Sequence, residues 1–178
     1  FRTPELFSGE GETNTDAGTA YHRFLELCDF QIKTADEIKE ELREFLNSGR
    51  ISAAQYELLD PANLSEILSM PVFANLEKGR LFREQEFLCR LPAKEIFDTP
   101  ADDGVLLQGA IDLLAETKDG YLIIDYKYSR KTDEQLLSSY SRQLALYKKA
   151  VALIMRVEES SIGTVIVNIF KKRQINLF

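Results

Sequence analysis

The chain has 178 residues, 44% apolar and 29% charged, with nine Gly and five Pro, which describes one ordinary globular domain with a core and excludes a disordered or fibrous chain. Its longest apolar run, AVALIM at 150–155, falls far short of a membrane span, and no signal peptide precedes the first expected helix, so a membrane-free protein of the cytoplasm is expected. The net charge of −7 is unevenly spread: residues 1–120 sum to −12 and residues 121–178 to +5, which leaves only the last third suited to facing phosphates.

In chain order, residues 1–14 (FRTPELFSGEGETN) lack periodicity and read as a linker or extended arm. The chain begins at Phe1, so it is expected to be a piece of something larger. A helix over about 16–28 follows, with Thr15 or Asp16 as N-cap and Tyr21, Phe24, Leu25 and Cys28 at helical spacing. It carries His22, the single histidine of the chain.

Residues 34–80 read as a helical block. Thr34 or Asp36 caps its first helix, Ile38, Leu42, Phe45 and Leu46 form the apolar stripe, and Gly49 stops it. SAAQYELL and NLSEILSMPVFANLEKG continue in the same style, with Pro71 breaking the last piece. Asp36, Glu37, Glu40, Glu41 and Glu44 are expected on a solvated helix face, and the block reads as scaffold or partner contact. Cys28 and Cys89 are expected to be small buried apolar residues in a reducing compartment.

LFREQEFLCRLP (81–92) reads as a strand, with Leu81, Phe87, Cys89 and Leu91 on one face and Glu84 and Glu86 on the other. A loop with Pro100 and Gly104 leads to a β-hairpin over 105–130, turning at Lys118-Asp119-Gly120. Thr132 or Asp133 then caps a long helix whose Leu136, Leu137, Tyr140, Leu144, Tyr147 and Val151 keep a helical period. TVIVNIFKK (164–172) is a last hydrophobic strand. The order predicts an α/β or α+β domain with a mixed sheet. Neither GxxxxGK[ST] nor GxGxxG occurs, so no ATP site is expected in this chain.

The hairpin places its charges oddly. Asp112 lies inside an apolar run, and Asp125 and Lys127 close the returning strand, pointing the same way while Tyr126 points the other. Carboxylates on a half-buried sheet are costly unless something neutralises them, and a hard divalent cation would do so. Phosphodiester hydrolysis needs an activated water and neutralised phosphorane charge; a carboxylate-held cation and a lysine can supply both. The Tyr126 carbonyl would add a ligand, and the imidazole of His22 would suit Mn²⁺ as well as Mg²⁺. Glu84 would stand behind a bound water or the lysine. Gln143 and Tyr147, at i and i+4 on the following helix, would reach the lysine or a phosphate. Arg130, Lys131 and Arg142 belong to the basic surface beside the hairpin.

GTAYHRFLE (18–26), REQEF (83–87), QGAIDLLAE (108–116), IIDYKYSR (123–130) and YSRQLALYKKAV (140–151) together resemble the ordered motifs of the PD-(D/E)XK nuclease superfamily. Within it they are most similar to the RecB-like nuclease domain and to the C-terminal domain of AddA helicase–nuclease subunits, over roughly residues 15–170. The resemblance implies a restriction-endonuclease-like mixed sheet flanked by helices, with 1–14 outside the domain, 34–80 a helical insertion and 81–170 the catalytic sheet and helix. It implies His22, Asp112, Asp125 and the Tyr126 carbonyl as metal ligands, Lys127 as the catalytic lysine, and Gln143 and Tyr147 as the Q-x-x-x-Y pair supporting site and DNA. Glu84 matches the acid that precedes these and counts among the implied catalytic residues. Implied partners are single-stranded DNA, a helicase domain of the same parent chain and a second helicase–nuclease subunit; the implied cofactor is Mg²⁺ or Mn²⁺. Two features depart from the pattern. Tyr128 stands where a small Thr is commoner, and two cysteines are too few for the four-cysteine iron–sulfur cluster of some members. The alternatives are a catalytically inactive nuclease fold that binds DNA or a partner chain, and a stand-alone exonuclease of the same superfamily.

Overall fold

The computed structural model describes residues 16–32, 34–74, 76, 79–97 and 103–177; the expected arm at 1–14, the candidate cap Thr15 and the Pro100 loop residues 98–102 lie outside these. Helices α1 (Asp16–Leu27), α2 (Ala35–Asn47), α3 (Ala53–Leu58) and α4 (Pro61–Leu68) come first. Strand β1 (Leu81–Pro92), the short α5 (Ala93–Ile96), β2 (Gly104–Thr117), β3 (Gly120–Lys127), α6 (Asp133–Met155), β4 (Ile162–Asn168) and β5 (Arg173–Leu177) follow. No helix of the described residues is long and apolar enough to cross a membrane.

Local chemistry sets the helix starts. Thr34 and Glu37, Ser52 and Gln55, and Thr132 and Gln135 each form a capping box, in which the side chains exchange hydrogen bonds with the otherwise unpaired backbone N–H groups of the first turn. Asp60 caps α4 with Pro61 at its first position, where a missing N–H costs nothing. Pro71 starts a short 3-10 turn rather than more helix.

The sheet order is β1-β2-β3-β4-β5, and among the described residues only the β3/β4 pair is parallel. A parallel neighbour requires a crossover, and α6 supplies it. The hairpin turns on Lys118 and Asp119, with Gly120 already in β3 at φ 138°, a left-handed conformation that favours glycine. The last strand of the expectation ends at Asn168, and residues 169–172 turn the chain into β5, an edge strand that the short polar segment RQINL does not suggest.

Two cores result, one on each face of the sheet. Helices α1, α2 and α4 pack Phe24, Ile38, Leu42 and Leu64 against Leu113, Ile124 and Val167. Helix α6 packs Leu136, Leu144 and Val151 against Leu114, Ile123 and Ile166. Each fully buried aliphatic or aromatic side chain contributes about 1.5–3 kcal/mol of transfer free energy. Both cysteines are buried and reduced, as expected. Glu41 corrects the solvated-face reading of α2: it is 9% exposed, and its Oε1 accepts from the Asp29 N–H across 2.8 Å.

Candidate active site

The chemistry sits where the sheet comes apart. β2 pairs with β1 from Ala115 to Gly104, but with β3 only as far as Leu113 opposite Ile124. The next residues, Asp112 and Asp125, stand on the two sides of the resulting fork. A hydrogen bond spans it: the Tyr126 backbone N–H donates to Asp112 Oδ2 across 2.6 Å.

Strand alternation reverses at the same level. Leu113 and Ala115 pack into the core under α1 and α2, whereas Ile111 and Leu107, of the same parity, pack under α6. On the paired strand, Leu81 packs toward α1 while Phe87, Cys89 and Leu91 pack toward α6. The expectation that these four share a face is therefore wrong. The cause is Glu84, a non-glycine residue at φ 46°, whose left-handed backbone interrupts the pleat and swings its carboxylate toward α1. Arg83 pins the distortion: its guanidinium donates to the Leu25 and Glu26 carbonyls at 2.9 and 3.0 Å and lies 4.5 Å from the Phe30 ring centroid. It thereby satisfies carbonyls left open where α1 ends and ties β1 beside His22. Sequence reasoning misses Arg83, because its partners lie 57 and 58 residues away.

The predicted site residues sort into two groups. Donor atoms of His22, Glu84 and Asp112 lie within 4.8 Å of one another, with His22 Nδ1 4.0 Å from Asp112 Oδ2. Asp125 instead holds Lys127, Nζ to Oδ2 2.6 Å, and the ammonium lies 4.5 Å from the Tyr140 ring centroid. Both are nearly buried, at 7% and 8% exposure. Tyr126 buries its ring on the other face, edge-on to His22 at 5.7 Å.

Burial and crowding tune these groups. Burial, then the Asp125 charge, pushes the Asp112 carboxyl from 3.8 up to about 8, against the opposing pull of Lys127 and the Tyr126 N–H. Burial alone would lower Lys127, but the Asp125 and Asp112 charges outweigh it and hold the ammonium above its ordinary value. Burial, and next the Lys127 charge, lowers His22, which favours the neutral, ligating imidazole. Burial and the charge of Glu26 raise Glu84. This donor set fits a hard divalent cation. Three oxygen- and nitrogen-bearing side chains converge, two carboxyls are held in their less favoured environment, and the buried His22 Nε2 has no hydrogen-bond partner among the described residues.

Gln143 and Tyr147 face the fork from α6. Gln143 Nε2 donates to the Tyr147 hydroxyl at 2.9 Å, and the Tyr147 ring stands edge-on to Phe87 at 5.1 Å. Gly109 makes this approach possible, because a Cβ there would meet the Phe87 ring at 2.8 Å and the Tyr147 hydroxyl at 2.9 Å. Burial raises the Tyr147 hydroxyl, and the charges of Asp125 and Asp112 push the same way. Arg142 turns away and donates to the Ile96 carbonyl at 2.8 Å, bracing the segment after β1. Arg130 and Lys131 follow β3, beside the β4–β5 turn rather than within the fork.

A family model described as the PD-(D/E)XK nuclease superfamily matches residues 2–176. The chain is 32% identical over 159 residues to an ATP-dependent helicase/nuclease subunit of the AddA type from Heliobacterium modesticaldum, covering 82% of this chain and 11% of that protein. It is 33% identical over 141 residues to the protein of the same name from Carboxydothermus hydrogenoformans, covering 75% and 12%. For that of Bacillus velezensis it is 28% over 172 residues, covering 89% and 14%. The chain thus spans 11–14% of the length of these relatives.

Proposed function

The chain belongs to the PD-(D/E)XK nuclease superfamily, and on that footing we propose that it is the divalent-metal-dependent DNA nuclease domain of an AddAB/RecBCD-type helicase–nuclease. Its substrate is the phosphodiester bond of single-stranded DNA, delivered by a helicase part of the parent chain working with a second subunit during double-strand-break repair. Residues 15–178 act as the nuclease unit, with 34–80 as an added helical block. The observation that carries this reading is the convergence of Asp112, Asp125 and Lys127 at one fork, with His22 and Glu84 against it.

His22, Asp112 and Asp125, with the Tyr126 carbonyl and Glu84 beside them, would hold Mg²⁺ or Mn²⁺, and the bound ion supplies an acidified water and charge neutralisation at the phosphate. The protein's own groups do the rest. Lys127 stays charged through the physiological range, because two carboxylates favour its ammonium form. It therefore positions water and stabilises the phosphorane as a cation, rather than serving as a base. Asp125 fixes that ammonium in place. Tyr126 orients Asp112 through its N–H, and the Gln143–Tyr147 pair lines the α6 side against the incoming strand.

The test uses a labelled single-stranded oligonucleotide and its duplex, with Mg²⁺, Mn²⁺ or EDTA, and the variants Asp112→Asn and Lys127→Ala. Metal-dependent cleavage of the single strand is expected, with a loss of at least about 100-fold in each variant. Lys127→Ala leaves the Asp125 carboxylate buried and uncompensated, which costs about 3–5 kcal/mol, so circular dichroism must show both variants folded. A folded variant with unchanged cleavage, or a parent chain inert with both metals, overturns the proposal.

A further inference from the structure

Just past Lys127 lies a cluster that this mechanism leaves unused. Tyr128 leaves β3 on the side opposite Lys127. Its ring centroid is 5.5 Å from that of Tyr21 on α1, and 5.5 Å from that of Phe170, which it meets edge-on at 79°. Phe170 occupies the β4–β5 turn and is 42% exposed. The Arg130 guanidinium carbon sits 5.1 Å from the Phe170 ring centroid.

This exposed ring is held in place. Lys171 Nζ donates to the Lys131 carbonyl at 2.5 Å, tying the turn to the segment that follows β3. The Lys171 N–H donates to Asn168 Oδ1 at 3.2 Å, and Asn168 is fully buried, opposite Lys127 in the β3/β4 register. Further round the turn, Lys172 and Arg173 are matched to Glu66 and Asp133. The cations next to the ring are Arg130, Lys131 and Lys171.

An isolated exposed Phe is unremarkable on a protein surface. A Phe held edge-on by a second aromatic, carrying an arginine and flanked by two lysines, has the chemistry that takes unpaired bases: a π-face for the base and cations for its phosphates. We infer that Tyr128, Phe170 and Arg130 form a stacking platform for an unpaired nucleobase next to the phosphate held at Lys127, with Phe170 taking the base and Arg130 the adjoining phosphate. The inference rests on the proposed nuclease reading and names what would favour a single strand over a duplex there, since a paired base has no free face to offer. It also gives Tyr128 a purpose where a small residue would leave Phe170 without support.

The test measures binding and cleavage separately. In the Asp112→Asn background, oligonucleotides with 2-aminopurine at successive positions are titrated against Phe170, Phe170→Ala and Phe170→Trp proteins. One position is expected to be quenched with Phe170 or Trp and not with Ala. Single-strand affinity should fall roughly 5- to 150-fold in the Ala variant, the range that one base–aromatic stack is worth, with duplex affinity unchanged. Unchanged single-strand affinity in a folded Phe170→Ala protein overturns the platform, and leaves a protein contact as the role of the ring. An equal loss for single strand and duplex overturns it too. Because quenching and affinity are read without cleavage, an inert wild-type chain would count against the nuclease reading alone.

Discussion

Replacing Asp112 by Asn tests the electrostatics of the fork without DNA or activity. Asn keeps the oxygen that accepts the Tyr126 N–H, but it cannot ionise. In the parent chain, burial and the neighbouring Asp125 raise the Asp112 carboxyl from 3.8 to about 8. A carboxyl that ionises less readily folded than unfolded makes ionisation favour unfolding. Its contribution is therefore harmless below about pH 4, and metal-free stability falls as pH rises toward about 8. One proton sets the slope, about 1.4 kcal/mol per pH unit. From pH 5 to pH 7 the advantage of the Asn variant over the parent should thus grow by about 2–3 kcal/mol, or about 5–10 °C in Tm for a chain of this size. Thermal unfolding by circular dichroism in EDTA, repeated at pH 5, 6, 7 and 8, measures it. Added Mn²⁺ should raise the Tm of the parent at pH 7–8 and leave the variant behind. Parallel curves for the two proteins in EDTA would refute the reasoning, because Asp112 would then carry no penalty for being charged.

Two further outcomes follow from backbone positions. Gly109→Ala would push a methyl group against the Phe87 ring and the Tyr147 hydroxyl; a loss of about 1–3 kcal/mol in urea denaturation is expected, along with reduced cleavage as Tyr147 shifts. Unchanged stability would mean that the close approach is not constraining. Glu84→Gly should relieve a left-handed strain of about 1–3 kcal/mol, which exceeds the roughly 0.5–1 kcal/mol of extra backbone entropy that glycine loses. Metal-free Tm should rise slightly, while the metal concentration needed for cleavage increases. A drop in Tm would rule out strain at that residue.

Much of the architecture is legible in the sequence because it is encoded locally. The hairpin shows in β-rich runs around a Gly turn, the helix starts show in Thr34, Ser52, Asp60 and Thr132, and the α6 stripe shows in its period. Asp112, Asp125 and Lys127 stand out as charges inside apolar strands, a cost that local pattern alone reveals. Strand β5 escapes notice because RQINL has almost no apolar alternation and is a strand only through its pairing with β4. The burial of Glu41 escapes for a similar reason: it depends on Asp29, twelve residues away, folding back over α2.

What the sequence determines by itself is the inventory: which segments form helices and strands, and which side chains carry chemistry on them. Tertiary structure decides the arrangement. It ends the β2/β3 ladder at Leu113 and Ile124, turns Glu84 out of the pleat toward His22, and binds Asp125 to Lys127 instead of to the other donors. Period-2 reasoning assumes an unbroken pleat, and a single left-handed residue reverses every face beyond it. The contacts that hold that residue, Arg83 on the α1 carbonyls and Phe30, come from a segment more than fifty positions upstream, so only the folded chain brings them together.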